Sequence, residues 1–361
     1  MRIRPIALAL AALLPVVAGA ADRVTRVEFT PTPAPRSEAE QTAAYTRSNA
    51  IVHYVDGRKR VFPLEYRVLF RSGERIGGSE AGLITDRHGQ PLLRSPADEK
   101  GAAAQGPFHS YAPDANSLIR VPDGRRERLF LVTHYEYHTE APLAAGQGSM
   151  ELYAQLPGVM SLAELRQDRA RGTLAARRLT NIDMNGIGGL WIPCAGSLTP
   201  WNTHLGGEEY EPNARQFEHE PLEAMNLYLG TPGRKAAEGG ANPYRYGHVV
   251  EVKVSPQGTA SVAKRYAMGR LATELAEVMP DERTAYLGDD GRDTMLFMFV
   301  ADRPRDLSAG TLYAAKWEQR SGEHGGSADL KWIRLGHADE DGIRALVDRG
   351  IRVNGVAPGP I

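Results

Sequence analysis

Short apolar or aromatic runs separated by turn residues fill most of this chain, and this alternation constrains the fold more than any other feature. Clear turns are Pro122-Asp123-Gly124, Pro256-Gln257-Gly258 and Asp289-Asp290-Gly291, each between two strand-like runs. The 38 glycines and 24 prolines among 361 residues suit many short strands. Strand, turn and strand at this spacing predict an antiparallel all-β architecture: a sandwich, a barrel or a propeller.

Two segments have helical patterns instead. Residues 161–178 begin with Ser161 and Glu164, which have the spacing of a capping box. Residues 338–350 have an amphipathic pattern of period 3.6. The sequence therefore predicts an all-β domain with short helical insertions.

The N-terminus has the pattern of an export signal. Arg2 and Arg4 precede the apolar stretch IALALAALLPVVAGA, and Ala18-Gly19-Ala20 fits the small-residue cleavage site. We expect residues 1–20 to be a cleaved signal peptide and the protein to be periplasmic or secreted. The apolar stretch is too short to span a bilayer comfortably, so we expect no stable membrane insertion.

Beyond the signal, composition divides the chain into three parts. Residues 21–50 are polar and contain proline, which predicts an extended lead-in; residues 51–340 form the main domain and residues 341–361 an atypical tail. The net charge is −1, without the basic excess typical of nucleic-acid binding. We expect a monomer that takes small molecules and binds no nucleic acid.

Cys194 is the single cysteine, so no disulfide within the chain is possible. A buried cysteine is often a small hydrophobic residue and nothing more. Outside the cytoplasm, however, an exposed thiol is easily oxidised or mispaired. A metal would shield the sulfur and hold it as a thiolate, and one sulfur among oxygen ligands suits a transition metal.

Carboxylates supply the other candidate ligands. Glu208 and Glu209 are adjacent, so on a strand one could reach a site while the other supports it; a solvated surface pair is the alternative. Glu274 is a further candidate. Asp289 and Asp290 could present two carboxylates to calcium, or could simply form a hairpin turn.

An alternating triplet, His134, Glu136 and His138, lies in the run THYEYH. On a strand these three side chains would share one face, a layout that suits metal ligands. Simple alternation is the other interpretation. We count Glu136 among the candidate ligands.

Several motifs resemble the PhoX-type alkaline phosphatases. They are GLWIPCAGSLTPWNTHLGGEEYEP, NPYRYGHVVEV, KRYAMGRLATELAEVMPDERTAYLGDDG and FVADRPRDLSAGTLYAAKW, with YAPDANSLIRV and FLVTHYEYH before them. The resemblance covers roughly residues 60 to 335. It implies a six-bladed β-propeller, incomplete here because further blades are not found after residue 340, with iron and calcium at its centre.

The resemblance also assigns roles by motif. Cys194 matches the iron ligand, and Asn116 matches a polar residue that faces the phosphate. The carboxylates that match metal ligands are Glu208, Glu209, Glu274, Asp289 and Asp290.

The activity that this resemblance implies is hydrolysis of phosphomonoesters. Metal ions would neutralise the phosphoryl oxygens and activate the attacking oxygen. Two alternatives stay open from the residues alone: a non-catalytic, calcium-binding propeller, and a calcium-dependent hydrolase of another ester, because fold does not determine function.

Overall fold

The computed structural model of the chain describes residues 23–42, 47–93, 106–124, 126–136, 140–142, 149–151, 154–168, 171–292 and 294–350. The chain divides into two compact units, Met1–Val68 and Leu69–Ile361. The predicted signal peptide lies outside the described residues, as does the end of the predicted tail.

In the first unit, the described residues form one antiparallel sheet with the strand order β1-β2-β3 and one short helix. Its elements are β1 (Val24–Phe29), α1 (Glu38–Thr42), β2 (Asn49–Tyr54) and β3 (Lys59–Pro63). All six residues of β1 are exposed. The polar lead-in predicted for residues 21–50 thus contains a strand that pairs with β2.

The second unit begins with two short strands and a four-stranded sheet of order β11-β10-β7-β6. These elements are β4 (Arg75–Ile76), β5 (Ser79–Glu80), β6 (Pro113–Asp123), β7 (Arg126–Tyr135), β10 (Val159–Asp168) and β11 (Thr173–Asn181). Between β7 and β10 lies a short pair, β8 (Glu140–Pro142) and β9 (Ser149–Glu151).

Two further antiparallel sheets follow, and each keeps its strands in sequence order. The first contains β12 (Pro193–Leu198), β13 (His204–Glu208), β14 (Val249–Val254) and β15 (Ala260–Lys264). The second contains β16 (Thr273–Val278), β17 (Thr284–Asp289), β18 (Leu296–Arg303), β19 (Asp306–Ser321) and β20 (Ser327–Asp339).

The described part of the second unit also contains three short α-helices. They are α2 (Ala214–Phe217), α3 (Glu223–Leu229) and α4 (Glu340–Asp348). The helix predicted within residues 338–350 is confirmed by α4, which is capped by the Asp339 side chain. None of the helices in the described ranges is long and apolar enough to cross a membrane.

Apolar residues on facing sheets form two main cores. Ile119, Val132 and Met160 pack with Val250 and Val252 in one of them. The other lies among the last two large sheets and includes Leu205, Leu287, Phe297 and Phe299. Strand β12 contacts β6 of the sheet before it and β16 of the sheet after it. The first strands of three successive sheets are therefore neighbours.

The prediction of an antiparallel all-β fold with few helices is confirmed. The three predicted turns lie between paired strands: residues 122–124 between β6 and β7, residues 256–258 between β14 and β15, and residues 289–291 between β17 and β18.

The helix predicted over residues 161–178 is wrong. This segment forms β10 and β11, joined by a turn in which the Gly172 amide donates to the Asp168 carbonyl. Ser161 is fully buried and lies beside the Tyr135 hydroxyl instead of capping a helix. Residues 159–165 of β10 are buried or half-buried on both faces, so this apolar run lacks the alternation that identifies a strand, and packing overrides local propensity.

Candidate metal centre

The three successive large sheets begin with hairpins of the same design. In each first strand, the second residue bears a side chain with metal-ligating atoms, and a register irregularity follows at that point. The three residues are Asp114 in β6, Cys194 in β12 and Glu274 in β16. A bulge re-aims a side chain at the end of a ladder, which is why bulges are common beside functional sites.

Each hairpin also places a carboxylate directly after its second strand. These residues are Glu136 after β7, Glu209 after β13 and Asp290 after β17. Their backbone N–H groups all donate to the carbonyl two residues before the matching first-strand residue: Ala112 at 2.8 Å, Ile192 at 2.8 Å and Ala272 at 3.0 Å. The backbone thus repeats the same arrangement three times and delivers one pair of candidate ligands from each sheet.

Five of these six side chains form two overlapping triads. Glu136, Cys194 and Glu209 offer ligand atoms that all lie within 4.8 Å of one another. Glu209, Glu274 and Asp290 form the second triad by the same measure. Glu209 belongs to both, so the described residues form a continuous cluster of one thiol and four carboxylates.

Two carboxylates of this cluster have raised pKa values, which indicates that the site lacks positive charge. Burial raises the pKa of Glu209 to about 8, and the neighbouring acids Asp290 and Glu274 add to the effect while Cys194 opposes it. Burial also raises the pKa of Glu136, helped by the nearby charges of Asp114 and Glu274. Charged carboxylates this close together are unfavourable unless a cation lies among them.

The unused atoms of the cluster point to the same requirement. Oε2 of Glu209 is buried and has no hydrogen-bond partner. The Cys194 thiol donates to Oε2 of Glu274 at 3.5 Å, and burial with the Glu209 charge raises the pKa of the thiol. A cation would give the orphaned oxygen a partner and replace the thiol proton, since metal binding deprotonates its ligands. The residues present therefore fit a transition metal beside a hard, oxygen-loving cation.

Tyr210 holds one edge of the cluster. Its backbone has a φ of 44°, in the left-handed region, directly after Glu209. The Tyr210 hydroxyl donates to Oδ2 of Asp290, and its carbonyl accepts from Nε1 of Trp191 at 2.8 Å. The bond from Tyr210, with a further one from Glu209, lowers the pKa of Asp290. A non-glycine residue in this conformation is uncommon, and such residues cluster at functional sites.

The structure does not bring Glu208 to the cluster. Its side chain lies on the opposite side of β13 and pairs with Nζ of Lys264 at 2.8 Å, with both side chains fully buried. Backbone N–H groups of Trp191, Gly247 and His248 donate to the same carboxylate. All of its oxygens are thus satisfied within the protein.

Two other predicted residues also lie apart from the triads. Oδ1 of Asp289 accepts from the Ala272 amide at 3.0 Å, and burial raises the pKa of Asp289 to about 6. Asn116 is exposed on β6, where its amide oxygen accepts from the Thr133 hydroxyl at 2.7 Å. His138, the third member of the sequence triplet, lies outside the described residues.

Family comparison agrees with this geometry. The model of the family described as alkaline phosphatase PhoX matches residues 160–354, more than half of the chain. The chain belongs to the PhoX family of alkaline phosphatases. The predicted family resemblance is confirmed, and the matched range contains Cys194, Glu209, Glu274 and Asp290. No curated protein and no solved structure matches the chain significantly.

Membership in the PhoX family implies a metal-dependent phosphatase, and the acidic groups of the cluster fit that dependence. Sequence reasoning missed Asp114 and Tyr210. Asp114 follows a proline at the start of a strand, as Cys194 does, and that shared context was the available signal. Tyr210 carried no comparable signal, because its role depends on the position of a residue on another sheet.

Proposed function

We propose that this PhoX-family chain is an exported phosphomonoesterase whose centre holds iron and calcium. The observation that carries the proposal is the convergence of Cys194 with Glu136, Glu209, Glu274 and Asp290 from three successive hairpins. A thiolate with nearby carboxylates suits iron, and the carboxylate triad suits calcium. The threefold repeat of the hairpins also supports a propeller arrangement of the sheets, with the centre at their inner strands.

Each side chain has a distinct task in this proposal. Cys194, with Glu136 and Glu209, would hold the iron, and Glu209 would bridge to the calcium beside Glu274 and Asp290. Tyr210 would keep the Asp290 carboxylate oriented through its hydroxyl. When bound, the metals would supply positive charge for the phosphoryl oxygens and lower the pKa of a water molecule.

The protein supplies preorganisation. Because the ligands lie on paired strands and bulges, they need little rearrangement as charge develops on the phosphoryl group. Phosphomonoesters carry two negative charges near neutral pH, which match a polynuclear cation centre better than singly charged diesters or neutral esters do. Asn116 is a proposed phosphate contact by family motif.

Metal content and hydrolysis, measured on the same preparation, test the proposal. We expect iron and calcium in the purified protein and hydrolysis of p-nitrophenyl phosphate that a chelator abolishes. Cys194→Ala should lose the iron, and Glu274→Gln should lose at least about 100-fold in kcat/KM, as is typical when a stabilising group at a transition state is removed. Glu277→Gln, an exposed change on the same strand β16, is the matched control.

The substrate panel separates the alternatives. Preferential hydrolysis of bis(p-nitrophenyl) phosphate or p-nitrophenyl acetate would point to a diesterase or another esterase. Calcium binding without hydrolysis of any of the three would indicate a binding protein. Full activity of Cys194→Ala would overturn the role given to the thiol.

Export is tested at the N-terminus. If residues 1–20 are a signal peptide, the protein isolated from the periplasm or medium should begin near Ala21, as sequencing of its first residues would show. An intact Met1 in a cytoplasmic protein would contradict it.

A further inference from the structure

A cavity of about 440 Å³ lies where the end of strand β15 meets helix α4. Its lining includes residues 340, 344 and 348 of α4, which share one face of the helix because they are four residues apart. The other lining residues come from the turn at Arg87, the segment 185–188, the end of α3, the segment at Arg245 and the end of β15. A cavity of this volume can hold a small-molecule ligand. The residues of the metal cluster do not line it, so it is a separate place on the molecule.

The acidic residues of the cavity are already neutralised by neighbouring cations. Oδ1 of Asp348 accepts from Nη2 of Arg245 at 2.6 Å. Both carboxylate oxygens of Glu340 accept from Nη1 of Arg265, at 3.1 Å and 3.0 Å. Lys264 also lines the cavity, and its charge is balanced by the buried carboxylate with which it pairs. The net charge of the cavity therefore depends on its other arginines.

Two arginines at the cavity keep positive charge for a ligand. Arg87 is exposed, and it forms no ion pair with the residues that the structure describes. Arg344 pairs with Asp341 at 3.1 Å, but these side chains are 58% and 84% exposed, and exposed pairs contribute little. The charge available to a ligand is therefore that of the two guanidinium groups of Arg87 and Arg344.

Hydrogen-bond donors accompany this charge. Tyr266 lines the cavity, and burial together with the charges of Glu208 and Asp348 raises the pKa of Tyr266, so its hydroxyl stays protonated and can donate. The charges of Arg245 and Arg344 oppose that shift, which places both guanidinium groups near the hydroxyl. Arg245 has five N–H donors, of which the bond to Asp348 uses one. A ligand with several acceptor oxygens can therefore be bonded by more than one residue.

Another part of the lining is apolar. Ile187, Leu229 and Val262 line the cavity and pack half-buried against the first of the two main cores; we call these three residues the apolar wall. Beside Ile187 the backbone is open, since a Cβ added at Gly186 would meet no atom within 4 Å. The cavity thus combines charge and donors for an anionic group with space and apolar contact for an organic group.

We propose that this cavity binds small phosphate compounds at a position separate from the metal cluster. Arg87, Arg344 and the Tyr266 hydroxyl contact the phosphate oxygens, and the apolar wall contacts the organic group. A phosphate monoester carries about two negative charges near neutral pH and offers three acceptor oxygens. Two guanidinium groups and a hydroxyl match that group better than they match a singly charged carboxylate. The inference goes beyond the proposed function, because it does not depend on a bound metal.

Titration calorimetry of the purified holoprotein with phenylphosphonate tests the proposal. The carbon–phosphorus bond of this probe is not a phosphate ester, so the hydrolysis proposed above does not consume it. We expect wild type to bind about one molecule per chain more than the Arg87→Gln, Arg344→Gln double variant. Each single change should weaken this binding about 10- to 100-fold, because each removes hydrogen bonds to a charged group. Both arginines are exposed, so these variants are expected to fold.

Matched controls identify the ligand group. Arg349→Gln, an exposed change directly after α4 at a residue outside the lining, should bind the probe as wild type does. Benzoate has the same ring with a singly charged carboxylate and should bind at least about 10-fold more weakly; equal affinity for benzoate would overturn the assignment to phosphate. Inorganic phosphate separates the two sources of the group. Tighter binding of phenylphosphonate supports a phosphate ester on the apolar wall, and equal affinity supports inorganic phosphate itself.

Cys194→Ala separates the cavity from the metal centre. This variant should keep the arginine-dependent binding even when it loses iron, because the thiol does not line the cavity. Loss of that binding in Cys194→Ala would place the probe at the metal cluster and overturn the proposal. The same stoichiometry and affinity in wild type and the double arginine variant would overturn it as well. A wild-type protein without metal or hydrolysis that still shows arginine-dependent binding would overturn the proposed function alone.

Discussion

Glu208 is the last residue of β13 and Glu209 is the first residue after it, yet their carboxylates lie in opposite electrostatic surroundings. On one side, Glu208 is fully buried with Lys264, and three backbone N–H groups complete its hydrogen bonds. On the other side, Glu209 is surrounded by the thiol and by further carboxylates, and Oε2 has no partner.

The comparison shows how one strand can serve both stability and chemistry. The side with Lys264 is electrostatically complete, and the ring of Tyr246 adds a cation–π contact 4.3 Å from the Lys264 nitrogen. The carboxylates around Glu209 lack a neutralising charge, which a bound cation would supply. The buried contacts of Glu208 fix the backbone, and the adjacent Glu209 is held in position by that same backbone although its own Oε2 has no partner.

The largest expected effect on stability comes from removing one partner of the buried Glu208–Lys264 ion pair. Lys264→Met leaves the Glu208 charge buried without its cation, and we expect a loss of about 3–5 kcal/mol in the free energy of unfolding, measured with urea. Lys253→Met, an exposed change on the neighbouring strand, should stay within about 0.5 kcal/mol of wild type. A double variant, Glu208→Gln with Lys264→Met, should recover part of the loss; no recovery would mean that packing of Lys264 dominates.

The next largest expected effect on stability comes from metal binding to the carboxylate cluster around Glu209. A ligand at 100 times its Kd stabilises the native state by about 2.7 kcal/mol. Adding Ca²⁺ to the chelated protein should therefore raise the unfolding midpoint of wild type, and much less so for Glu209→Gln. The same stabilisation in Glu209→Gln would show that the ion binds elsewhere.

A pH dependence follows from burial of Glu209, which raises its pKa from an ordinary 4.5 to about 8. The folded state then holds a proton that the unfolded state has released, so stability falls as pH rises between these values. We expect the chelated wild type to lose on the order of 1 kcal/mol in the free energy of unfolding from pH 6 to pH 7. Glu209→Gln should show a shallower dependence, and an unchanged slope in the variant would assign the proton to another group.

The smallest expected effect is at the edge of the cluster. Tyr210→Phe removes the donor to Asp290, and because the bond is exposed we expect less than about 1 kcal/mol in stability. The pKa of Asp290 should rise toward its ordinary value, as NMR titration of the carboxyl carbon would report. Calcium affinity that is unchanged in this variant would argue against an orienting role for Tyr210.

Local sequence chemistry was sufficient for much of the fold. The turn at Pro122-Asp123-Gly124 and the helix α4 depend on residues close in sequence, and both were predictable. The segment from Ser161 to Arg178 was not, because Ser161 faces a packed interior and Glu164 pairs with Arg128 of the neighbouring strand instead of capping a helix. Burial on both faces removes the alternation on which a strand prediction depends.

The candidate site divides in a similar way. Cys194, Glu209 and Glu274 lie in motifs that resemble a family, so they could be proposed from sequence. The separation of Glu208 from Glu209 required the position of Lys264, a residue that comes 56 positions later in the chain. The match between Asp114 and Cys194 required strand register, which a single sequence does not contain.

The three-hairpin arrangement also has a consequence for how the protein is made. Its cluster residues extend from position 136 to position 290, so the ribosome must release strand β17 before the last ligand exists. Closing a chain segment this long costs entropy that packing of the sheets must first offset. Ion loading is then a late step of maturation, and a nascent chain interrupted before Asp290 would present the thiol without its full set of carboxylates.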